Sequence, residues 1–268
     1  LVRLAFAGAD GASRADFPVG EFTDTYVKVE LPPRGVDLGW PYDGEVVREQ
    51  RPAHEWPVLR SYTIRSFDPS AGVLALEFVV HGDDGVAGPW ARDVEPGGPT
   101  SRIQVRGPGG GYAPDPEADH HVFVGDASAL PAIAVALERL PLGVSADVVI
   151  AVENSADEIP LPSAADVRLT WVHAACSDRE VGEVVVERVR GLVLPDGDVQ
   201  AFVHGEAGWV KALRRHLRFE RGFERERLSI SGYWRLGAND EQWRASKKAW
   251  NAAVEAEEAN QSPAAQAS

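Results

Sequence analysis

The hydrophobic period of this chain changes partway along, across a Gly/Pro-dense junction at residues 107–116, and that change constrains the fold more than any other feature. Before the junction, apolar runs at residues 25–31, 59–67, 73–81 and 101–107 are short and separated by turn signals such as Asp68-Pro69-Ser70-Ala71-Gly72. Such runs have the length and punctuation of strands. Over 73–80 both alternating sets, Val73/Ala75/Glu77/Val79 and Leu74/Leu76/Phe78/Val80, are largely apolar. A strand with two apolar faces is buried on both sides, which suits a closed Greek-key barrel. After the junction, strand-like runs at 121–125, 147–152, 167–172, 199–203 and 228–233 alternate with helical patterns at 128–140, 180–189, 206–221 and 240–258. That alternation predicts a parallel sheet with crossover helices. The expected architecture is a β-barrel plus α/β: a barrel over residues 1–116, an α/β domain with a C-terminal helix over 117–258, and a disordered tail over 259–268.

Charge narrows the function classes. The net charge is −14, so non-specific nucleic-acid binding is disfavoured. The balance is uneven, because residues 209–250 hold eleven Lys or Arg against five Asp or Glu. That segment reads either as a helix face that meets an anion or as a solvated amphipathic helix. A single cysteine, Cys176, rules out an internal disulfide and suits a reducing, cytoplasmic setting. No apolar run approaches the length of a membrane span, so stable membrane insertion is not expected. Leu1 to Ala9 is apolar but short, without a charged leader, and the chain has no Met, so its natural start is expected to lie outside this sequence. The histidines His120, His121 and His173 match no zinc spacing, and adjacent strand histidines point to opposite faces, so no metal site is expected.

The segment Arg60-Ser61-Tyr62-Thr63-Ile64-Arg65 places a cation, an aromatic ring and a hydroxyl within six residues of a strand. An aromatic ring can stack on an isoalloxazine, a hydroxyl can meet its polar edge, and arginine can meet a pyrophosphate. The same residues also suit an ordinary exposed strand. Gly125-Asp126 sits at a strand end just before a helix N-terminus, a position where backbone N–H groups favour an anion.

Further along, Phe78-Val79-Val80-His81-Gly82 is followed by Gly88-Pro89-Trp90-Ala91, then by Arg106-Gly107-Pro108-Gly109-Gly110. Gly125-Asp126-Ala127-Ser128-Ala129-Leu130-Pro131-Ala132-Ile133 and Ser231-Gly232-Tyr233-Trp234-Arg235-Leu236-Gly237 complete the series. Together with the R-x-Y-[ST]-x-R strand, and in this order over about residues 20–250, these motifs resemble the siderophore-interacting proteins, flavoproteins of the ferredoxin-reductase-like superfamily. The resemblance implies a non-covalent FAD held by Arg60, Tyr62, Thr63, Arg65, His81, Gly82, Gly88, Trp90 and Ala91. It also implies a nicotinamide site (NADH or NADPH) in the second half, near Gly125, Asp126, Ser128, Glu206, Tyr233 and Trp234. The implied activity is reduction of a ferric siderophore to release Fe(II), with the flavin carrying the chemistry and no side chain catalytic.

Two departures bear on the electron donor. Ala127 stands where the family usually has Glu, and Trp171-Val172-His173-Ala174-Ala175 lacks an arginine that relatives often carry, leaving His173 as the nearby basic group. NADH, NADPH and a partner such as reduced ferredoxin therefore all stay open. Glu206 could reach the nicotinamide, or act as a first-turn acid on its helix. Cations that could attract an anionic chelate are Arg48 and Arg51, then Arg235, Lys247 and Lys248. Trp234, Trp243 and Trp250 are expected to pack the last helix on the sheet, or one of them to cover the cofactor site.

Overall fold

The computed structural model describes residues 1–9, 16–98, 100–176 and 178–261. They divide into two compact units, one covering Leu1–Ala113 and the other beginning at Pro114.

In the first unit, β1 (Val2–Phe6), β2 (Tyr26–Leu31), β3 (Val58–Asp68), β4 (Val73–Phe78) and β5 (Gln104–Gly109) form a barrel-like antiparallel sheet, in the order β1-β4-β3-β2-β5. Helices α1 (Gly44–Gln50) and α2 (Ala87–Asp93) lie in the connections. Val27, Val29 and Leu31 of β2 meet Ile64, Leu74, Leu76 and Phe78 in one apolar cluster, and α2 adds Ala87 and Ala91. As its two apolar sets predict, β4 is buried on both faces. Its exception is Glu77, 5% exposed, which Arg3 faces across the β1–β4 ladder at 2.6 Å. Three elements went unseen in the sequence. The short apolar run at the start is the edge strand β1, and α1 and α2 have only seven residues each, too few for a helical period to show. The Gly-Pro stretch expected to be loop is in part strand, because β5 runs to Gly109 and pairs with β2.

In the second unit, β6 (His120–Asp126), β7 (Ser145–Val152), β8 (Asp166–His173), β9 (Val199–Glu206) and β10 (Leu228–Trp234) form a parallel sheet in the order β10-β9-β6-β7-β8. Helices α3 (Leu130–Arg139), α4 (Val181–Arg190), α5 (Ala207–Arg215) and α6 (Asp240–Gln261) connect and follow the strands. The first strand, β6, is central and pairs with β7 on one side and β9 on the other. Between β6 and β9 the order of winding reverses, and in open α/β sheets ligands bind beyond the carboxyl ends of strands at that point. One apolar cluster joins Val122, Val124, Val149, Ala201 and Val203 of the sheet to Val185 and Val189 of α4 and to Trp209, Val210 and Leu213 of α5. The helix expected over 206–221 ends at Arg215 and continues as a π turn, His216–Glu220. Helix α6 runs to Gln261, into the stretch expected as a tail, and 262–268 lie outside the described residues.

The basic stretch 209–250 spends much of its charge inside the protein. Lys211 pairs with Glu257 at 2.8 Å, Arg214 with Glu258 at 2.5 Å and Arg227 with both Asp115 and Asp198. Arg221 donates to the carbonyls of Arg190 and Leu192. These contacts give several of the basic residues acidic or carbonyl partners within the chain, which neither reading of the segment specified. Cys176 is a free, exposed thiol, and among the described residues no helix is long and apolar enough to cross a membrane.

Candidate functional site

In the first unit two of the expected flavin residues, Tyr62 and Trp90, meet at Phe78. The Tyr62 ring, half-buried on β3, lies 4.3 Å from the Phe78 ring, and the Trp90 indole of α2 meets the same ring edge-on at 5.7 Å. Trp90 also stacks on Phe6, and its N–H donates to the Thr100 carbonyl at 2.9 Å, so the indole is fixed from three sides. Thr63, beside Tyr62, is 9% exposed, and Arg60 and Arg65 are half-buried on the same strand. Ala91 is buried, and a Cβ on Gly88 would come within 2.9 Å of the Val79 carbonyl, so glycine there lets α2 sit close against the end of β4. His81 and Gly82 are exposed, and Gly82 adopts φ +61° with open space where a Cβ would stand. A half-exposed aromatic ring backed by a rigid aromatic cluster, next to a hydroxyl and two guanidinium groups, suits a stacked planar cofactor with an anionic tail.

In the second unit Asp126 organises the carboxyl edge of the sheet. Its Oδ1 accepts from the Ser128 N–H at 2.9 Å and the Ser128 hydroxyl at 2.5 Å. Its Oδ2 accepts from the Glu206 N–H at 3.0 Å and from the Trp234 indole N–H at 2.8 Å. One carboxylate therefore ties together the ends of β6, β9 and β10. Burial pushes this carboxyl above its usual range, and the donors, Ser128 and Trp234 foremost, pull the other way. Two glycines make the arrangement possible. A Cβ on Gly125 would press on Ile133 and Ala129 of the following helix, and one on Gly205 would collide with the Asp126 carboxylate and Trp209.

Glu206 is the N-cap of α5 and not an acid within its first turn. Its carboxylate caps α5, accepting from the Gly208 and Trp209 N–H groups at 2.7 and 3.2 Å, and also accepts from the Leu236 N–H at 3.2 Å. Trp243 is buried and meets Trp250 edge-on, as expected of packing residues. Trp234, at the end of β10, is 42% exposed. Tyr233 lies beside the buried His204 ring at 4.7 Å.

The candidate cations for the chelate fall in both units, Arg48 and Arg51 in the first and Arg235, Lys247 and Lys248 in the second. Arg48 donates to the Gly44 and Pro57 carbonyls, and Arg51 pairs with Glu55 at 3.1 Å and donates to the Asp37 carbonyl. Arg235 and Lys248 are exposed, whereas Lys247 is partly buried, and that burial lowers its pKa. The adjacent histidines do point to opposite faces. His120 meets Ser145 at 2.7 Å and Asp147 at 3.0 Å, while His121 stacks along Phe123.

The comparisons with known proteins bear on both units. The profile described as siderophore-interacting FAD-binding domain matches residues 1–112, and the one described as siderophore-interacting protein matches 118–237. An uncharacterized protein of Mycobacterium tuberculosis, Rv2895c, is 38% identical over 92% of this chain and 89% of its own length. Ferric vibriobactin reductase ViuB of Vibrio cholerae is 33% identical over 71% of this chain and 69% of its own. The crystal structure of the siderophore-interacting protein SipS from Aeromonas hydrophila superimposes with a TM-score of 0.74 at 28% identity, covering 92% of this chain and 90% of that one. The order of a barrel-like sheet followed by a parallel sheet is that of ferredoxin-NADP+ reductases, a likeness of fold alone. With an FAD-binding domain over its first half and relatives aligned along nearly all of its length, this chain belongs to the siderophore-interacting protein family.

Proposed function

We propose that this protein is an FAD-dependent ferric-siderophore reductase whose preferred electron donor is NADH, acting in the cytoplasm. The observation that carries the reading is the β3 constellation of Arg60, Tyr62 and Thr63, set on the Phe78–Trp90 cluster inside the region that matches an FAD-binding domain. Bound FAD would accept a hydride from the nicotinamide and deliver electrons singly to iron, which suits the step from Fe(III) to Fe(II). Tyr62 would stack on the ring system, Thr63 would meet its polar edge, and Arg60 and Arg65 would offset the charge of the pyrophosphate. His81 and Gly82 would lie along the dinucleotide. The ferric siderophore is the substrate, and the weaker hold of siderophores on Fe(II) releases the metal. Asp126, Ser128 and Trp234 would frame the nicotinamide at the crevice between β6 and β9.

Preference for NADH rests on charge. In this topology an acid after the second strand of the α/β unit binds a ribose diol, and an arginine nearby accommodates a 2′-phosphate. Here Glu153 follows β7 directly and is exposed. The nearest basic group at the end of β8, His173, is already paired with Glu158 at 2.7 Å. Arg179, the next cation along, pairs with Glu187 at 2.5 Å. A 2′-phosphate would therefore meet carboxylates without an unengaged cation.

The absorbance spectrum of the purified protein tests the flavin directly. Yellow protein that bleaches under nitrogen about tenfold faster with NADH than with NADPH is expected, roughly 1.4 kcal/mol of discrimination. Colourless protein that fails to take up added FAD would overturn the reading. Flavin bleached quickly by reduced ferredoxin, and negligibly by either nicotinamide, would replace the donor but keep the cofactor. Arg60→Ala and Tyr62→Ala should each lower FAD retention, and unchanged occupancy in both would place the cofactor elsewhere.

A further inference from the structure

One cavity lies away from the Tyr62 strand face, and none of the residues assigned to the flavin lines it. Its volume is about 520 Å³, and Glu30, Tyr42, Asp43, Glu45, Gln104 and Arg106 are among its walls. The cavity follows from strand alternation. Val27, Val29 and Leu31 of β2 point into the apolar cluster, so Lys28 and Glu30 point to the other face. There Glu30 lies opposite Gln104 of β5, and Lys28 lies opposite Arg106. The start of α1 covers this face. Gly44 admits it, since a Cβ there would collide with Glu30 Oε1.

The result is a buried carboxylate that is only half matched. Glu30 is 1% exposed, and its Oε2 accepts from Arg106 at 2.9 Å, but Oε1 accepts no hydrogen bond among the described residues. The buried Tyr42 hydroxyl is likewise without a partner there. Leaving such atoms unmatched is unfavourable, and more so where the group is charged. Three of the lining side chains are carboxylates and one is a guanidinium, so the walls are net acidic. The Arg106 charge is already directed at Glu30, and Asp43 caps α1 through the Glu45 and Val46 N–H groups.

We infer that this cavity is a binding site for a small organic cation, a primary ammonium whose N–H groups satisfy Glu30 Oε1 and the Tyr42 hydroxyl. The volume falls in the range of small-molecule sites, and the acidic walls favour a cation over a neutral molecule of the same shape. The inference is independent of the flavin and the electron donor.

Titration calorimetry of the whole protein with putrescine, and with 1,4-butanediol as its neutral counterpart, tests it. Putrescine should bind with a Kd of roughly 1 mM or tighter, and the diol should give no measurable heat at the same concentrations. Glu30→Gln should weaken putrescine binding about tenfold or more, and Tyr42→Phe several-fold. Tyr62→Ala, outside the cavity, should leave it unchanged. Circular dichroism establishes that each variant is folded, and Tyr42→Phe, which keeps the ring, serves if Glu30→Gln is not. Equal binding of the diol, binding indifferent to both cavity variants, or no putrescine heat at all would overturn the proposal and leave a pocket that holds only water.

Discussion

The two units of this protein treat buried carboxylates in opposite ways. In the barrel-like unit, Glu77 and Glu30 each face one half-exposed arginine, Arg3 and Arg106, and each leaves one oxygen unmatched among the described residues. In the α/β unit, Asp126 takes hydrogen bonds from Ser128, Glu206 and Trp234 through both oxygens. Asp147 there is engaged by His120 and, through both oxygens, by Arg168 at 2.7 Å. Burial alone would raise the Asp147 pKa, but Arg168 and His120 outweigh it and hold it below the usual range. The difference follows from how the chain approaches each group. An antiparallel ladder offers a side chain only its cross-strand neighbours, because the backbone N–H groups are spent on the ladder. The carboxyl edge of a parallel sheet gathers strand ends and helix starts, which bring unspent N–H groups with them. A carboxylate there can join several elements at once, and a candidate cofactor site can be built around it.

The largest effect should come from removing that junction. Asp126→Ala would leave the Glu206 and Trp234 N–H groups without their acceptor, and should cost about 3 kcal/mol or more in urea denaturation. A loss below about 1 kcal/mol would mean that the strand ends hold together without it. Nearly as large is an acid effect in the same unit. His121 is fully buried, and burial, with the neighbouring His120, holds its imidazole down to about 4. The unfolded chain takes up this proton near its ordinary value of about 6.5, so stability falls as pH drops below that point and levels off near the folded value. This group alone should contribute a loss of about 3 kcal/mol, and His121→Phe should flatten the slope over the same window. An unchanged slope would assign the acid sensitivity to other groups. A smaller cost, about 1 kcal/mol, is expected for Glu206→Ala through the lost α5 cap. If nicotinamide affinity measured by calorimetry fell much further than the cap explains, Glu206 would be a ligand contact as well. The smallest effect should be that of Glu77→Gln. It removes a half-matched charge from the barrel-like unit and should change stability by less than about 1 kcal/mol, which thermal or urea unfolding would resolve. A cost matching that of Asp126→Ala would erase the contrast between the units.

Much of this protein could be read before folding. The change of period at residues 107–116 foretold both halves, because burial on both faces of β4 and the amphipathic stripes of the later helices are written in residue order. The R-x-Y-T strand and the Gly-Asp turn were legible for a similar reason, since their residues are neighbours in sequence. What only the tertiary structure decided depends on groups far apart in the chain. Asp126 meets a tryptophan 108 residues away, and Glu30 meets an arginine 76 residues away. Arg48 and Arg51, candidate chelate contacts in the sequence, bond nearby carbonyls, and Arg51 also pairs with Glu55, which the sequence does not show. Glu206 became a cap because the strand before it ends where α5 begins. Periodicity reports which way a side chain faces, but what it meets there is set by packing between distant segments, and a single sequence carries no direct record of that.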